Sequence, residues 1–460
     1  MTLRTRLAAV ALVSFSFFGV VSSARAEGPL ILEMFDGRFY NPASGLSAES
    51  PGALLKLLDA GSAPAPVVEA PATPVVTPSS EPVDPAQPAP TLENAVLRAR
   101  AALQERVDTA EKKKPDVVTS YDVWVDVTLA VWNSRTNEIQ YLEASKNGTK
   151  LKFTETPDAY SVSVKRSNGV NSTFVVDTGE RVVVAVRYPI FKSISVSKKK
   201  PKYELHDVVY TPYSDGLHTA EMAAWGKNVL RLEINAAYEA LRSTGVRSRA
   251  FPDRLMADVV DPHLVEGIAI IEHVGLGALS GPNAEEAMDA FYVTMGGNQD
   301  KAYIYARSSA GALGLVQFIP STYAMMAKRK ELNLITDFTK GMSDPVNAIK
   351  AQIAYLDAIL ASMPLAVKDM HYVDPARVDE YLAASYNTGE TRVKRAIKQW
   401  GDEWSEPHTA EIAALAKKKG AKSAAVNTMK KGTLLPETVT YVKKLRQALK
   451  VLSPPELPTT

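Results

Sequence analysis

The sequence predicts a multidomain α+β protein, in which a small all-β domain at about 117–210 is followed by an α-helical domain at about 215–450. Two patterns predict this order. Between 121 and 131, and again from 160 to 164, apolar residues alternate with polar or small ones, as on half-buried strands. From 220 to 241, apolar residues recur at helical spacing in one long amphipathic run.

The start of the chain, residues 1–26, has the pattern of a secretory signal peptide. Arg4 and Arg6 precede an apolar run at 7–21, and Ala24-Arg25-Ala26 forms a small-x-small cleavage site. An uncleaved membrane anchor is the alternative. The chain has no cysteine, which excludes a lipid anchor on that residue, disulfides and thiolate metal sites. We therefore expect a periplasmic mature protein without a stable membrane span.

The region between the signal and the β domain is predicted to contain little packed structure. Residues 27–60 form a short N-terminal segment, and 61–90 hold nine of the 29 prolines, which is typical of an extended linker. A helix is predicted at 91–114, capped by Thr91 and ended by lysines before a proline. It packs on a partner helix or on the next domain, and we favour the next domain.

The β domain is predicted to be a small sandwich or barrel of unknown role. Asn168-Gly169 is a hairpin signal, while 182–186 and 203–209 read as further strands. Trp124 and Trp132 fall on the strand face opposite the valines. They form either a platform for a sugar or a partner, or ordinary aromatic packing, which is the commoner use. A short tail at 451–460 ends the chain.

Three stretches of the helical region carry the candidate chemistry. The uncharged stretch 308–322 has two spaced glycines and Gln317, whose amide needs a partner if it is buried. Upstream, Asp261-Pro262 opens a helix that carries Glu272 behind four apolar residues. Apolar surroundings raise the pKa of a carboxyl group, which keeps it protonated near neutral pH as a general acid requires. The third stretch, 381–389, reads Tyr-Leu-Ala-Ala-Ser-Tyr-Asn-Thr-Gly.

Together these stretches resemble the catalytic domain of the soluble lytic transglycosylases, which shares the goose-type lysozyme fold. The loop matches the family's Ser-x-x-Gly-Ala-x-Gly-Leu-Met-Gln-x-x-Pro-x-Thr, with Val316 in the Met position. The third stretch matches Ala-Tyr-Asn-x-Gly with Ser385 in the place of Ala. A fourth motif, Glu-Thr-x-x-Tyr-Val, matches 437–442 with Val439 where the family usually has Arg. The resemblance covers roughly 262–450.

The resemblance implies cleavage of the MurNAc–GlcNAc β-1,4 bond of peptidoglycan, without a metal or a cofactor. Glu272 would protonate the leaving oxygen and then, as a base, take the proton of the sugar's own 6-hydroxyl, which leaves a 1,6-anhydro-MurNAc end. Hydrolases usually add a second carboxylate, and 308–322 contain none.

The remaining motif residues would form the substrate groove. The resemblance assigns the N-acetyl group or the peptide stem to Ser308 and Gln317, and the groove wall to Gly314, Leu315 and Val316 through backbone and apolar contact. It assigns the side opposite the acid to Tyr386 and Asn387, and the far side to Glu437 and Tyr441. Tyr386 would orient or polarise the acid. Helix–helix packing is the alternative role for these residues, Tyr441 above all.

Two departures from the family pattern keep other functions open. His273 stands where the family has serine, and 35 residues lie between Glu272 and Ser308, more than the family usually has. Residues 279–303 are therefore predicted to be an insertion, either a lid or wall of the groove, which we favour, or a docking site for the β domain or a partner. A water-using muramidase and an inactive glycan-binding or scaffold protein remain alternatives.

The charge distribution bears on partners. A net charge of +2 argues against a chain that binds polyanions along its whole length, and we expect no nucleic acid for an exported protein. Between 392 and 450, however, 14 Lys and Arg outnumber five Asp and Glu. This excess favours encounter with the peptide carboxylates of peptidoglycan, or marks a solvated helical face. Glycan strands are the expected partner, with an envelope protein possible through the β domain.

If Ala24-Arg25-Ala26 is a cleavage site, the mature protein begins at Glu27. Sequencing the N-terminus of the exported protein checks this. Met1 or Thr2 at the start of most molecules would contradict it.

Overall fold

The computed structural model describes residues 91–110, 115–195, 201–418 and 423–452. The predicted signal peptide, N-terminal segment, linker and C-terminal tail lie outside these residues. Within them the predicted fold class is confirmed: an antiparallel β region precedes a helical region. Among the helices described, none combines the length and the apolar character needed to cross a bilayer.

The β region contains a six-stranded antiparallel sheet and a two-stranded hairpin. The order in the large sheet is β1-β8-β7-β2-β3-β4, and β5 pairs with β6. The predicted Asn168-Gly169 turn joins β5 to β6, and Gly169 adopts a φ of 53° there. The strands are β1 (Val117–Val118), β2 (Val125–Asn133), β3 (Ile139–Asn147), β4 (Lys150–Phe153), β5 (Val162–Arg166), β6 (Thr173–Val176), β7 (Arg181–Ser193) and β8 (Tyr203–Tyr210).

The two faces of the large sheet bury different cores. Val127 and Leu129 of β2 face a core shared with the β5–β6 hairpin. Ala130 and Trp132 belong to the core of the helical region. Trp132 is 5% exposed and its indole N–H donates to Asn137 Oδ1, while Trp124 lies before the strand and is 40% exposed. The two tryptophans therefore share no surface, and Trp132 serves packing.

Helix α1 (Leu92–Thr109) covers the second face of the sheet. Thr91 caps it by accepting a hydrogen bond from the Asn94 backbone N–H, as its sequence predicted. Its buried residues, which include Leu103, pack on β7 and β8. The helix thus packs on the following domain, and the β domain is not made of strands alone.

The helical region begins with one long helix and ends with another. Its helices are α2 (Ala220–Ser243), α3 (Pro262–His273), α4 (Leu276–Leu279), α5 (Ala284–Asn298), α6 (Pro320–Ala327), α7 (Phe338–Met342), α8 (Pro345–Ser362), α9 (Leu365–Met370), α10 (Pro375–Thr388), α11 (Glu390–Trp400), α12 (Thr409–Lys417), α13 (Ser423–Lys431) and α14 (Pro436–Leu452). Helices α10 and α14 pack on α3, which places the C-terminal part of the chain against the helix that carries Glu272.

The segment predicted as a lid is part of the core instead. Helix α5, which occupies most of 279–303, is buried along nearly its whole length. Its backbone lies directly against α2, because Gly226 and Gly296 let the two helices approach. Its end is also fixed to the β region: the Asn298 side chain bonds both the N–H and the C=O of Thr211, at 2.8 and 2.9 Å. The lid prediction is wrong, since a lid must move and this helix is enclosed.

The α2–α5 contact gives a stability prediction. A Cβ added at Gly226 would collide with the Tyr292 carbonyl oxygen, so Gly226→Ala must push the helices apart. We expect a loss of about 1–3 kcal/mol in the free energy of unfolding, as for other overpacked cores.

Gly277→Ala is the matched control, because Gly277 is an exposed helical glycine with no atom within 4 Å of an added Cβ. It should leave stability unchanged or slightly raised. Urea unfolding of both variants measures the difference. Equal midpoints would contradict the close packing of these helices.

Candidate active site

Helix α3 places two adjacent side chains in different surroundings. Asp261 caps its start and Pro262 occupies the first turn, as the sequence predicted. The residues from Leu264 to Ile271 are buried, and the helix ends at His273. Since neighbouring side chains on a helix point about 100° apart, Glu272 is partly exposed while His273 is buried.

The Glu272 carboxyl group is held by helix α14. The Tyr441 hydroxyl donates to Glu272 Oε1 at 2.7 Å. Burial raises the pKa of Glu272 to about 7, against the opposing effects of the Tyr441 hydrogen bond and the Lys444 ammonium. Within the described chain, no second carboxylate acts on this group. Glu272 is therefore poised to hold and to release a proton near neutral pH.

Lys444 is a site residue that the sequence reasoning missed. Its ammonium donates to the Ile271 carbonyl oxygen, which precedes Glu272 in the chain. Burial lowers its pKa, and the field of Glu272 opposes that shift. Its spacing in the sequence could have indicated this role, because Lys444 follows Tyr441 by three residues and therefore lies on the same face of the helix.

The loop that follows Ser308 is braced by its own polar groups. Gln317 adopts a φ of 49°, and its amide nitrogen donates to the carbonyl oxygens of Gly314 at 2.7 Å and Ala306 at 3.2 Å. Ser308 Oγ accepts from the Ala312 backbone N–H at 3.0 Å. Both residues thus shape the loop, and the Gln317 amide oxygen and the Ser308 hydroxyl proton are the groups left for a ligand.

The three expected groove-wall residues, Gly314, Leu315 and Val316, are buried. Leu315 and Val316 are 3% and 0% exposed, so their side chains belong to the core. The side chains of Leu315 and Val316 are therefore not exposed for the apolar contact expected of them, and their contact with a substrate through the backbone stays a prediction. Gly314 adopts a φ of 79°, and a Cβ there would lie 2.6 Å from the Met342 carbonyl oxygen. Close approach of α7 is the reason for this glycine.

His273 connects the acid-bearing helix to that loop. Its Nε2 donates to the Leu315 carbonyl oxygen at 2.8 Å, and its ring stacks on Tyr303 at 3.9 Å between centroids. Burial lowers the pKa of His273 to about 3, so the ring is neutral. The residue that replaces the family's serine thus acts as a neutral hydrogen-bond donor between α3 and the loop.

Tyr386 supports the other side of the loop. Its hydroxyl donates to the Val316 carbonyl oxygen at 2.6 Å, and its ring packs against Phe318 and Tyr355. Burial and the nearby Glu272 raise its pKa, which keeps the phenol protonated. The role of binding the acid, expected of Tyr386, falls to Tyr441 in this structure.

The remaining candidates lie further out. Asn387 is exposed, and its Oδ1 accepts from the Thr438 hydroxyl at 2.8 Å, which ties α10 to α14. Glu437 is exposed in the first turn of α14. Glu285 and Glu286 are exposed in the first turn of α5. Among the described residues, no group of three His, Asp or Glu side chains is placed to hold a metal ion.

Comparisons with known proteins bear on this arrangement. A search of curated proteins gave no match. A comparison with protein-family models matched residues 303–407 to the family described as Transglycosylase SLT domain. The match includes the braced loop and Tyr386, whereas Glu272 and Tyr441 lie outside it. Residues 303–407 of the helical region are thus similar to a transglycosylase SLT domain, and this similarity supports a glycan-cleaving function of the lytic transglycosylase type.

Proposed function

We propose that the protein is a peptidoglycan lytic transglycosylase, which cleaves the MurNAc–GlcNAc β-1,4 bond and leaves 1,6-anhydro-MurNAc ends. The observation that carries the proposal is the Glu272 carboxyl group, with a pKa of about 7, on the helix that His273 joins to the loop at 308–322. A residue that must first give and then take a proton works best when its pKa is near the ambient pH.

The first half of the reaction uses Glu272 as an acid. Because Oε1 accepts from the Tyr441 hydroxyl, Oε2 is the oxygen that carries the transferable proton. The bond between C1 of MurNAc and O4 of GlcNAc breaks, and that proton passes to O4. The Tyr441 hydroxyl and the Lys444 ammonium then stabilise the carboxylate that forms.

The second half uses the same group as a base. The carboxylate takes the proton of the 6-hydroxyl, whose oxygen bonds to C1 and closes the anhydro ring. Glu272 regains its proton, so atoms and charge balance without water. Hydrolysis usually requires a second carboxylate as nucleophile or base. Within the described chain no second carboxylate acts on Glu272, and the route through the 6-hydroxyl does not require one.

The proposed location follows from the substrate and from the N-terminal pattern. Peptidoglycan lies outside the cytoplasm, and the pattern at residues 1–26 is that of a cleavable export signal. We therefore assign the mature protein to the periplasm, associated with the cell wall.

Incubation of the full mature chain with purified sacculi, followed by mass analysis of the fragments, tests the reaction. The expected fragments end in anhydro-MurNAc, one water lighter than reducing ends. Reducing ends would instead identify a water-using muramidase. Binding to sacculi without any fragment would identify an inactive glycan-binding or scaffold protein.

Glu272→Gln preserves the shape of the side chain and removes the transferable proton. We expect fragment release to fall at least about 100-fold, the lower end for general acid–base catalysis. Retained activity would assign the acid to another residue.

The same variant has a pH-dependent effect on stability. In the unfolded chain the carboxyl group titrates near its ordinary pKa of 4.5, and in the folded protein near 7. The wild-type protein therefore loses stability as the pH rises between these values, whereas the amide does not. The melting temperature of Glu272→Gln relative to wild type should be higher at pH 8 than at pH 5. The opposite trend would contradict a raised pKa.

Lys444→Met removes the cation that lowers the pKa of Glu272. The carboxyl group should then keep its proton to higher pH, which moves the alkaline limb of the rate profile upward. Lys443→Met is the matched control, because Lys443 is the exposed neighbour on the same helix and changes the net charge equally. Identical profiles for the two variants would remove Lys444 from the site.

A further inference from the structure

A lysine occupies a core position of the β region. Leu142, Ala144 and Lys146 alternate along β3 and point to the same face, where the first two lie in the core shared with the β5–β6 hairpin. Lys146 itself is 1% exposed. A buried ammonium is costly unless it is paired, and an apolar side chain would fill this position at lower cost. The stability of the fold therefore does not explain why a lysine occupies this position.

The Lys146 ammonium is only partly satisfied by the protein. Nζ donates to Ser167 Oγ at 3.1 Å and stands 5.5 Å from the centre of the Tyr188 ring. Among the described residues no carboxylate lies within ion-pairing distance, and Ser167 is neutral, so none of its three N–H groups has an anionic partner. Burial lowers its pKa to about 8, which leaves the group largely charged at neutral pH.

Lys146 lines a cleft of about 1150 Å³ between the two regions of the protein. The wall from the β region includes Tyr188 and Tyr210, and the wall from the helical region includes His273 and Leu313. His273 follows Glu272 in the chain, and Leu313 precedes Gly314. The cleft therefore lies directly behind the elements that form the candidate active site.

The cleft is mostly apolar and carries an excess of positive charge. Its lining contains Lys146, Lys192 and Arg307 but only one acid, Asp122. Asp122 already accepts from the Asn147 amide at 3.0 Å. Aromatic walls suit small aliphatic groups, and a single buried ammonium suits a single carboxylate rather than a polyanion.

We propose that this cleft binds the stem peptide of a peptidoglycan strand and that Lys146 binds a peptide carboxylate. The proposal deepens the proposed function, on which the identity of the ligand rests. A stem peptide combines short aliphatic side chains with free carboxylates, which is the chemistry that the lining complements. The β region would then select strands that still carry their peptides.

Calorimetry with a defined probe tests the proposal without cleavage. The protein is the full mature chain with Glu272→Gln, and the probe is a disaccharide–tetrapeptide fragment of peptidoglycan. Adding Lys146→Met should weaken binding about 10-fold or more, the loss expected for a hydrogen bond to a charged group. Lys152→Met is the matched control, because Lys152 lies exposed on the adjacent β4 and its substitution removes the same charge. It should leave the affinity unchanged.

A second probe avoids dependence on the variant. The same fragment with its peptide carboxylates amidated should bind the parent protein about 10-fold more weakly than the free acid. Equal affinity for the two probes, no binding of either, or an equal loss in both lysine variants would overturn the proposal. Because the measurement is of binding, absence of anhydro products from the wild-type enzyme would reject the proposed reaction without deciding this result.

Discussion

The hydrogen bond from His273 to the Leu315 carbonyl oxygen joins the helix that carries Glu272 to the loop at 308–322, and the geometry of the site depends on it. Adjacent residues of α3 serve two purposes: Glu272 reaches Tyr441 on α14, and His273 holds the loop. Because the imidazole is buried and neutral, this connection stays unchanged over the pH range in which Glu272 titrates. The acid can therefore gain and lose a proton without moving the loop.

The loop at 308–322 is held by contacts within the protein itself. The Gln317 amide donates to two loop carbonyls, Tyr386 donates to Val316, and Gly314 packs against the end of α7. Groups already bonded in the free protein need no reorganisation during the reaction, which is the condition under which fixed dipoles lower a barrier most. In the proposed reaction the proton transfers fall to one carboxyl group, whose pKa is raised by burial and lowered in part by Tyr441 and Lys444.

The sequence predicted the order of the β and helical regions, the Asn168-Gly169 hairpin and the helix end that carries Glu272, because local periodicity and turn chemistry specify such features. It could not predict the place of α5, since an apolar helix face looks the same over a groove and inside a core. Gly226 and Gly296 lie on separate helices, and the sequence does not show that they face each other. Their contact is what places α5 inside the core. Lys444 and Lys146 were missed for a similar reason. From sequence alone a lysine is expected to be exposed to solvent, and only the three-dimensional structure shows that it is buried.

The β region is better regarded as part of one packed architecture with the helical region than as an appended module. Residues of α1 and one face of the sheet share a core with the helical region. Arg100 donates to the Gly297 carbonyl oxygen, and Asn298 bonds both backbone groups of Thr211. These buried connections oppose a swinging motion of one region relative to the other, since such a motion would leave polar groups unsatisfied. The cleft between the regions is therefore preformed, and a ligand held by Lys146 would meet walls that already have their final shape.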